Sequence, residues 1–464
     1  MNNLYEVSPR MQCLWELLKM KDSRTRNMSV GIVVEGAFND IIFEKAINDL
    51  IDRHEALRTC FEERDGKVLM KVIKNKQKNL IIDTHLWESD SKNLIKDYIK
   101  SKIYVKFDFE NDIKIKSWLF PISKNFRVVA FSIPHIVCDG VSINVLMKEL
   151  FEIYFCYSDK GCKSAKLLDE AEQFKDYVKW LNSSVVYRVD NRYKNYWINQ
   201  LRNKNVKQIL PYDFMDLRLD KPVYTSEGLV MSLHKAGVIS FHLNKNELSI
   251  MRETCREIGM SNSMFLMSVL LLLMMCWCAT FEIISKLRVH GRTPEFLRTV
   301  GYLTNAIYFR FEADKNGSVE EYLSAIRDKM IDAIEHQYYH DVCIESDLGI
   351  ASPRSLFFNF TPQSDWRVDS EELRIYEFND DIEERMTMYD FEITSRISTT
   401  DALLVNIIFA YNRQLFKKNT ISNLKELFLK IINSLHDNKK ISLEEYINSM
   451  KGVSIDPLLT DADQ

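Results

Sequence analysis

Glycine and proline are scarce in this chain, at 13 and 9 of 464 residues, so no flexible tether separates one half from the other. Internal repeats and low-complexity tracts are also missing, which leaves out a repeat array. There is no excess of positive charge: the formal net charge is −4, which gives no electrostatic reason to expect DNA or RNA as a partner. The lysines at 71, 74, 76 and 78 read instead as the solvated face of a hairpin. Cysteines 13, 60, 138, 156, 162, 255, 276, 278 and 343 are odd in number and form no CxxC pair. That pattern argues against a zinc module or a disulfide framework and for a reducing cytosol. The first residues, Met1 to Glu6, lack the charged-then-apolar signature of a signal peptide. The longest apolar run, Met264 to Ala279, is interrupted only by Ser268 and followed closely by Glu282. It is short for a membrane span and reads as a buried core helix, so no membrane is expected.

What is present describes a large α/β protein. At 464 residues, 46% of them apolar and 28% charged, the chain reads as two large lobes or about three smaller domains. The first half opens with a helix-like segment around Arg10–Lys21, then a strand over Met28–Val34. Asn39 or Asp40 caps a helix with Phe43, Ala46, Ile47, Leu50 and Ile51 on one face. Asp65-Gly66 is a strong hairpin signal. Phe126–Ile133 is apolar on both alternations and therefore sits centrally in its sheet. After it, Ser142 is expected to cap a helix with Ile143, Leu146, Met147, Leu150, Phe151 and Tyr154 inward. Polar sequence near Ser183–Asn195 marks a lobe boundary. Beyond it, Glu247–Ile258 and Met264–Ala279 read as helices and Phe281–Val289 and Ser355–Phe360 as strands. A hairpin follows over Asp390–Ser398 and Leu403–Tyr411, turning at Thr399–Asp401, then a closing helix over Ile421–Leu435. Each half is thus an open mixed sheet with helices, an α/β sandwich used twice.

The chemistry concentrates in Pro134-His135-Ile136-Val137-Cys138-Asp139-Gly140. Strand, sharp turn and helix fix His135 at the end of a strand. A neutral imidazole there can accept a proton from an attacking amine or alcohol. Asp139 either acts on the imidazole or builds the loop that aims it; on so short a turn the second is favoured, with the carboxylate paired to an arginine from elsewhere. Gly140 lets a backbone N–H approach an acyl oxygen. The competing readings are a hydrogen-bonded core histidine, a Cys138 nucleophile, and a metal site whose nearest further histidines would be His85 and His234.

That run is similar to HHxxxDG, the core motif of nonribosomal peptide synthetase condensation domains, with Pro134 in place of the first histidine. Further blocks resemble the same family in the same order. They are Ser8–Leu18, Arg53-His54-Glu55-Ala56-Leu57-Arg58-Thr59, and Phe174-Lys175-Asp176-Tyr177-Val178-Lys179-Trp180 with Tyr196-Trp197 after it. Then come His290-Gly291-Arg292 with Val300-Gly301-Tyr302-Leu303-Thr304-Asn305, which resembles GR…IGxFVNT, then Glu335-His336-Gln337 and Ser355–Pro362.

The resemblance implies two chloramphenicol-acetyltransferase-like lobes forming a V with an interlobe tunnel: 1–182 carrying the motif, 183–450 as the second lobe, and 451–464 as a loose tail. It implies an acyltransferase in natural-product biosynthesis, with His135, Asp139 and Gly140 at the catalytic centre. The donor would be a thioester on the phosphopantetheine arm of an acyl or peptidyl carrier protein. The acceptor would be a small amine or alcohol, the product an amide or ester. No cofactor is expected to be bound tightly, and no metal. Arg292, Arg53 and Arg58 are the arginines matched to support of the site, with Pro134; Ser142, Trp197 and Asn305 match positions that line or brace the channel. With no adenylation signature or carrier serine motif, the expectation is a freestanding monomer whose carrier comes in trans. Pro134, and Tyr338–Val342 where the family has D-x-P-F-E, motivate an alternative: a catalytically silent module that recruits a carrier or a tailoring enzyme. His336 and His340, spaced i and i+4, could share a helix face.

Overall fold

The computed structural model describes residues 4–19, 27–74, 79–84, 92–158, 170, 172–183, 191–204, 206–214, 223–225, 228–230, 234–363, 366–378, 386–398 and 404–450. The expected tail and the turn at Thr399–Asp401 lie outside them, as do Lys76, Lys78 and His85. The chain forms two compact units that are not contiguous in sequence: 1–189 with 290–304 and 364–384, and 190–289 with 305–363 and 385–464. The expected lobe 183–450 thus gives three stretches, 183–189, 290–304 and 364–384, to the first unit.

The first unit is built on a six-stranded sheet in the order Val368–Asp369, Leu373–Glu377, Asn27–Gly36, Phe126–Pro134, Lys116–Ser123, Leu80–Ile82. Only the last pair is parallel. Phe126–Pro134 lies inside the sheet, and Val128 to Pro134 are all buried, which accounts for its apolar character on both faces. The helix Asp40–Arg53 starts at Asn39, whose Oδ1 accepts from the N–H groups of Ile41 and Ile42. Its apolar face (Phe43, Ala46, Ile47, Leu50, Ile51) is buried beside the helix Gly140–Ser158. A small separate sheet holds the hairpin Thr59–Arg64 and Lys67–Val72, joined by Asp65 and Gly66 at φ 51° and 73°. Two successive positive φ values explain why the turn is Asp-Gly.

The second unit carries a seven-stranded sheet: Asn305–Glu312, Glu282–Val289, Leu356–Gln363, Phe391–Ser398, Val405–Asn412, His234–His242, Met386–Thr387. Leu356–Gln363 runs parallel to both neighbours; the other pairs are antiparallel. The helix Asn262–Cys278 is apolar all round and almost wholly buried, as a core helix must be. Among the described residues no single helix is long and apolar enough to cross a membrane.

Candidate functional site

The site grows out of the end of Phe126–Pro134. Pro134 has φ −62° and ψ 135°, so proline closes the strand in its natural conformation. One 3-10 turn, His135–Val137, follows, then Cys138, Asp139 and the helix Gly140–Ser158. From Phe131 to Asp139 every side chain is buried except His135, which is half-buried. Its Nδ1 lies 2.7 Å from the Cys138 carbonyl oxygen. A carbonyl only accepts, so Nδ1 carries the hydrogen, and in the neutral imidazole the lone pair falls to Nε2. The turn therefore sets the tautomer in which the imidazole is a base through Nε2. Cys138 is fully buried, and burial pushes its thiol well up, which removes it as a nucleophile.

Asp139 makes the loop rather than addressing the imidazole. Arg292 reaches it with both ends of its fork, Nη1 to Oδ2 at 2.9 Å and Nη2 to Oδ1 at 2.8 Å. Oδ2 also accepts from the backbone N–H groups of Leu303 and Thr304, at 3.1 and 3.0 Å. Oδ1 accepts from Ser142, through the backbone N–H at 2.8 Å and the hydroxyl at 2.8 Å. Burial alone would raise the carboxyl; the charge of Arg292 and the hydrogen bonds from Arg292 and Ser142 outweigh it and hold the group below the usual carboxylate range. Asp139, not Ser142, therefore caps the helix. Both residue types suit an N-cap, but Gly140 and Val141 are already helical, which leaves Ser142 in the third helical position. The Ser142 hydroxyl is instead a node: it accepts from Arg292 Nη2 and from the Gly301 N–H, both at 3.0 Å. Gly140 is the first helical residue and is partly exposed.

The other two arginines matched to the site serve elsewhere. Arg53 Nε and His54 Nε2 lie 2.7 and 2.8 Å from Glu149 Oε2, and Arg298 Nη2 lies 2.9 Å from Oε1. Burial pushes Glu149 up, but His54, Arg53 and Arg298 bring it from 4.5 down to about 2. Arg58 donates to the carbonyls of Ile51, Asp52 and Ile73, tying the end of one helix to the end of the hairpin. The block Phe174–Trp180 serves as a bed for 290–304. A Cβ at Gly301 would meet the Phe174 ring at 2.2 Å, and one at Gly291, where φ is +66°, would meet the Leu303 carbonyl oxygen at 2.0 Å. Tyr177 donates its hydroxyl hydrogen to the Gly291 carbonyl at 3.0 Å. Those two glycines are what let the segment bring Arg292, Leu303 and Thr304 onto Asp139.

Ser142, Trp197 and Asn305 are all buried, so they brace the fold rather than line an open channel. Trp197 and Asn305 belong to the second unit, where they donate to the carbonyls of His336 and Gln337, at 3.0 and 2.6 Å. His336 closes the helix Val319–Glu335 and His340 precedes Asp341–Leu348, so the two do not share a helix face. In the segment that departs from the family pattern, Asp341 pairs with buried Lys286 at 2.8 Å, and Glu345 and Ser352 complete that lysine's shell. Among the described residues one trio, Asp332, Glu335 and His336, places possible metal-ligand atoms within 4.8 Å of one another. His336 Nδ1 is 2.8 Å from the Asp332 carbonyl, which already claims that nitrogen as a donor.

Two residues beside His135 were not foreseen. The Tyr302 ring stands edge-on to the imidazole, centroids 5.1 Å apart at 77°, and Arg10 Nε donates to the Tyr302 hydroxyl at 3.1 Å. Arg10 is delivered by the helix Pro9–Leu18, which Ser8 caps with proline in its first position. Tyr302 fills the variable place of the GxFVNT pattern, so no motif pointed to it.

The family model "Condensation domain" matches residues 1–450. Bacitracin synthase 1 of Bacillus licheniformis is 23% identical over 459 residues, covering 95% of this chain and 8% of the synthase; the chain thus spans under a tenth of that relative's length. A solved four-domain nonribosomal peptide synthetase bound to AMP and glycine matches with TM-score 0.77 and 14% identity, over 96% of this chain and 34% of that one. The X-domain from teicoplanin biosynthesis, solved in complex with OxyB, matches with TM-score 0.76 and 16% identity, over 98% of this chain and 96% of that one. With two mixed sheets, the Asp139–Arg292 frame and a family match over nearly its whole length, the chain belongs to the condensation-domain family.

Proposed function

We propose that this chain is a condensation-type acyltransferase. An amine or alcohol attacks a thioester held on the phosphopantetheine arm of an acyl or peptidyl carrier protein, in the same polypeptide or another. His135 Nε2 takes the proton that the nucleophile loses; the C–S bond breaks, and the pantetheine sulfur leaves with a proton as the amide or ester forms. The reading needs no resident cofactor and places the reaction on a cytoplasmic monomer. The observation that supports it most is the 2.7 Å bond from Nδ1 to the Cys138 carbonyl, which leaves the lone pair on Nε2. A positioned base is worth roughly 10²- to 10⁴-fold in rate. His135→Ala should cut turnover by about that factor and leave the urea midpoint close to wild type. Intact-mass monitoring of loaded carriers, with and without a panel of amines and alcohols, measures the turnover; wild-type rates in the variant sink the proposal.

A second reading is supported by Pro134 and by the likeness to the X-domain solved with OxyB: a silent module that recruits a carrier or tailoring enzyme. Tight carrier binding with no product from any loaded donor, equally in wild type and His135→Ala, is its signature.

A further inference from the structure

Beside the imidazole stands a phenol whose hydrogen meets no acceptor among the described residues. Tyr302 Oη accepts the Nε–H of Arg10 at 3.1 Å, and its only other described interaction is the ring contact with His135. A hydroxyl that receives a hydrogen bond from a guanidinium is polarised toward donating its own hydrogen. The side chain is half-buried, like His135, and the two rings are in contact, so a base and a strengthened donor stand side by side. Stiffness on both sides of the pair supports such a role. His135 is locked by the Cys138 carbonyl. Tyr302 sits between Gly301, seated on Phe174, and Leu303, whose N–H is bound to Asp139.

The geometry points to Tyr302, primed by Arg10, as a further catalytic residue: it donates its hydroxyl hydrogen to the acyl oxygen of the thioester while negative charge develops there. The step balances without a co-reactant. The nucleophile's proton goes to His135 Nε2 and on to the leaving sulfur, while the phenol only shares its hydrogen with the oxyanion and keeps it when the C–O double bond reforms. A preorganised donor at that oxygen lowers the barrier because the site needs no reorganisation as charge appears. This inference rests on His135 being the base, and its failure is separable from the failure of that assignment.

The test places 3-fluorotyrosine at position 302 of the full chain and follows its 19F resonance during titration with a pantetheine-linked phosphonate, a tetrahedral anion resembling the intermediate. A saturable shift is expected in the wild-type background, with affinity at least about tenfold weaker in Arg10→Ala. A resonance that does not move on addition of the phosphonate overturns the inference. For any donor and acceptor that the protein turns over, Tyr302→Phe should lower kcat by about 10²-fold, in the range seen for loss of one oxyanion donor, with KM for the donor little changed. A series of fluorinated tyrosines at 302 should then show kcat varying with phenol acidity, which a packing role would not produce. If His135→Ala is inactive while Tyr302→Phe keeps wild-type kcat, the base stands and the phenol is only a neighbour.

Discussion

The helix Gly140–Ser158 is held by two carboxylates of different character. Asp139, at its start, has a side chain 1% exposed and is gripped by a fully buried arginine and by backbone N–H groups. Glu149, further along, is nearly as buried at 3%, but its partners are side chains: Arg53 at 16% exposure, His54 at 2% and Arg298 at 44%. The first cluster is stiff because backbone donors cannot rotate away and the guanidinium fork fits both oxygens. The second can exchange its partners. The stiff one lies under the turn that carries His135, where displacing the loop displaces the imidazole; the softer one fastens helix to helix away from it.

The largest effect should come from breaking the stiff cluster. Arg292→Ala leaves an uncompensated carboxylate in the interior, a change that costs about 3–5 kcal/mol. Urea unfolding should show it, with turnover lost alongside. Arg292→Lys should fail nearly as badly, because an ammonium cannot serve Oδ1, Oδ2 and the Thr299 carbonyl, which Arg292 Nη2 also reaches at 3.2 Å. A lysine variant with wild-type midpoint and rate would show that charge alone, not the fork, holds the loop.

Glu149 should come second and carry a pH signature. Its folded value, about 2, lies below the ordinary 4.5. A depressed carboxyl contributes stability that is fully present above its unfolded pKa and lost as pH falls through the folded one. Glu149→Gln should therefore lower stability by about 1.5–3 kcal/mol near pH 6, the scale of hydrogen bonds to a charged group. The gap in urea midpoint should narrow as pH drops from about 4.5 toward 2. A gap constant with pH would mean that the ionised carboxylate is not what the cluster recognises.

Much of this was legible beforehand, and the gaps have physical causes. The strand, turn and helix around His135 could be read because apolar alternation, an Asp-Gly step and a 3.6-residue stripe are all local signals. That Asp139 pairs with an arginine from elsewhere was also readable, since so short a turn cannot satisfy a buried carboxylate. Which arginine was not: Arg53, Arg58 and Arg292 all match family blocks, and only folding brings residues 153 positions apart into contact. Leu373–Glu377, a strand with no sequence expectation behind it, shows the same limit, because local pattern does not name the sheet that a strand joins; it pairs with Asn27–Gly36 of the first unit. The sequence does not reveal which of two cap-forming residues three positions apart, Asp139 or Ser142, begins the helix. Tyr302 and Arg10 lie inside family-like blocks, but no local signal says that the two side chains meet, since 292 residues separate them.

The smallest effect tests how far the second cluster's softness extends. Arg298 reaches Glu149 at 2.9 Å from a largely solvated position, and water and salt screen such a contact. Arg298→Ala should cost about 0.2–1 kcal/mol, and 0.5 M NaCl should erase most of the difference. Arg298 nevertheless lies in the segment that carries Arg292, Leu303 and Thr304. A loss near 3 kcal/mol, or a fall in turnover matching Arg292→Ala, would mean that the two clusters act as one unit through 290–304. If the clusters are independent, Arg298→Ala and Glu149→Gln remove one shared contact, so the double mutant should be no less stable than Glu149→Gln alone.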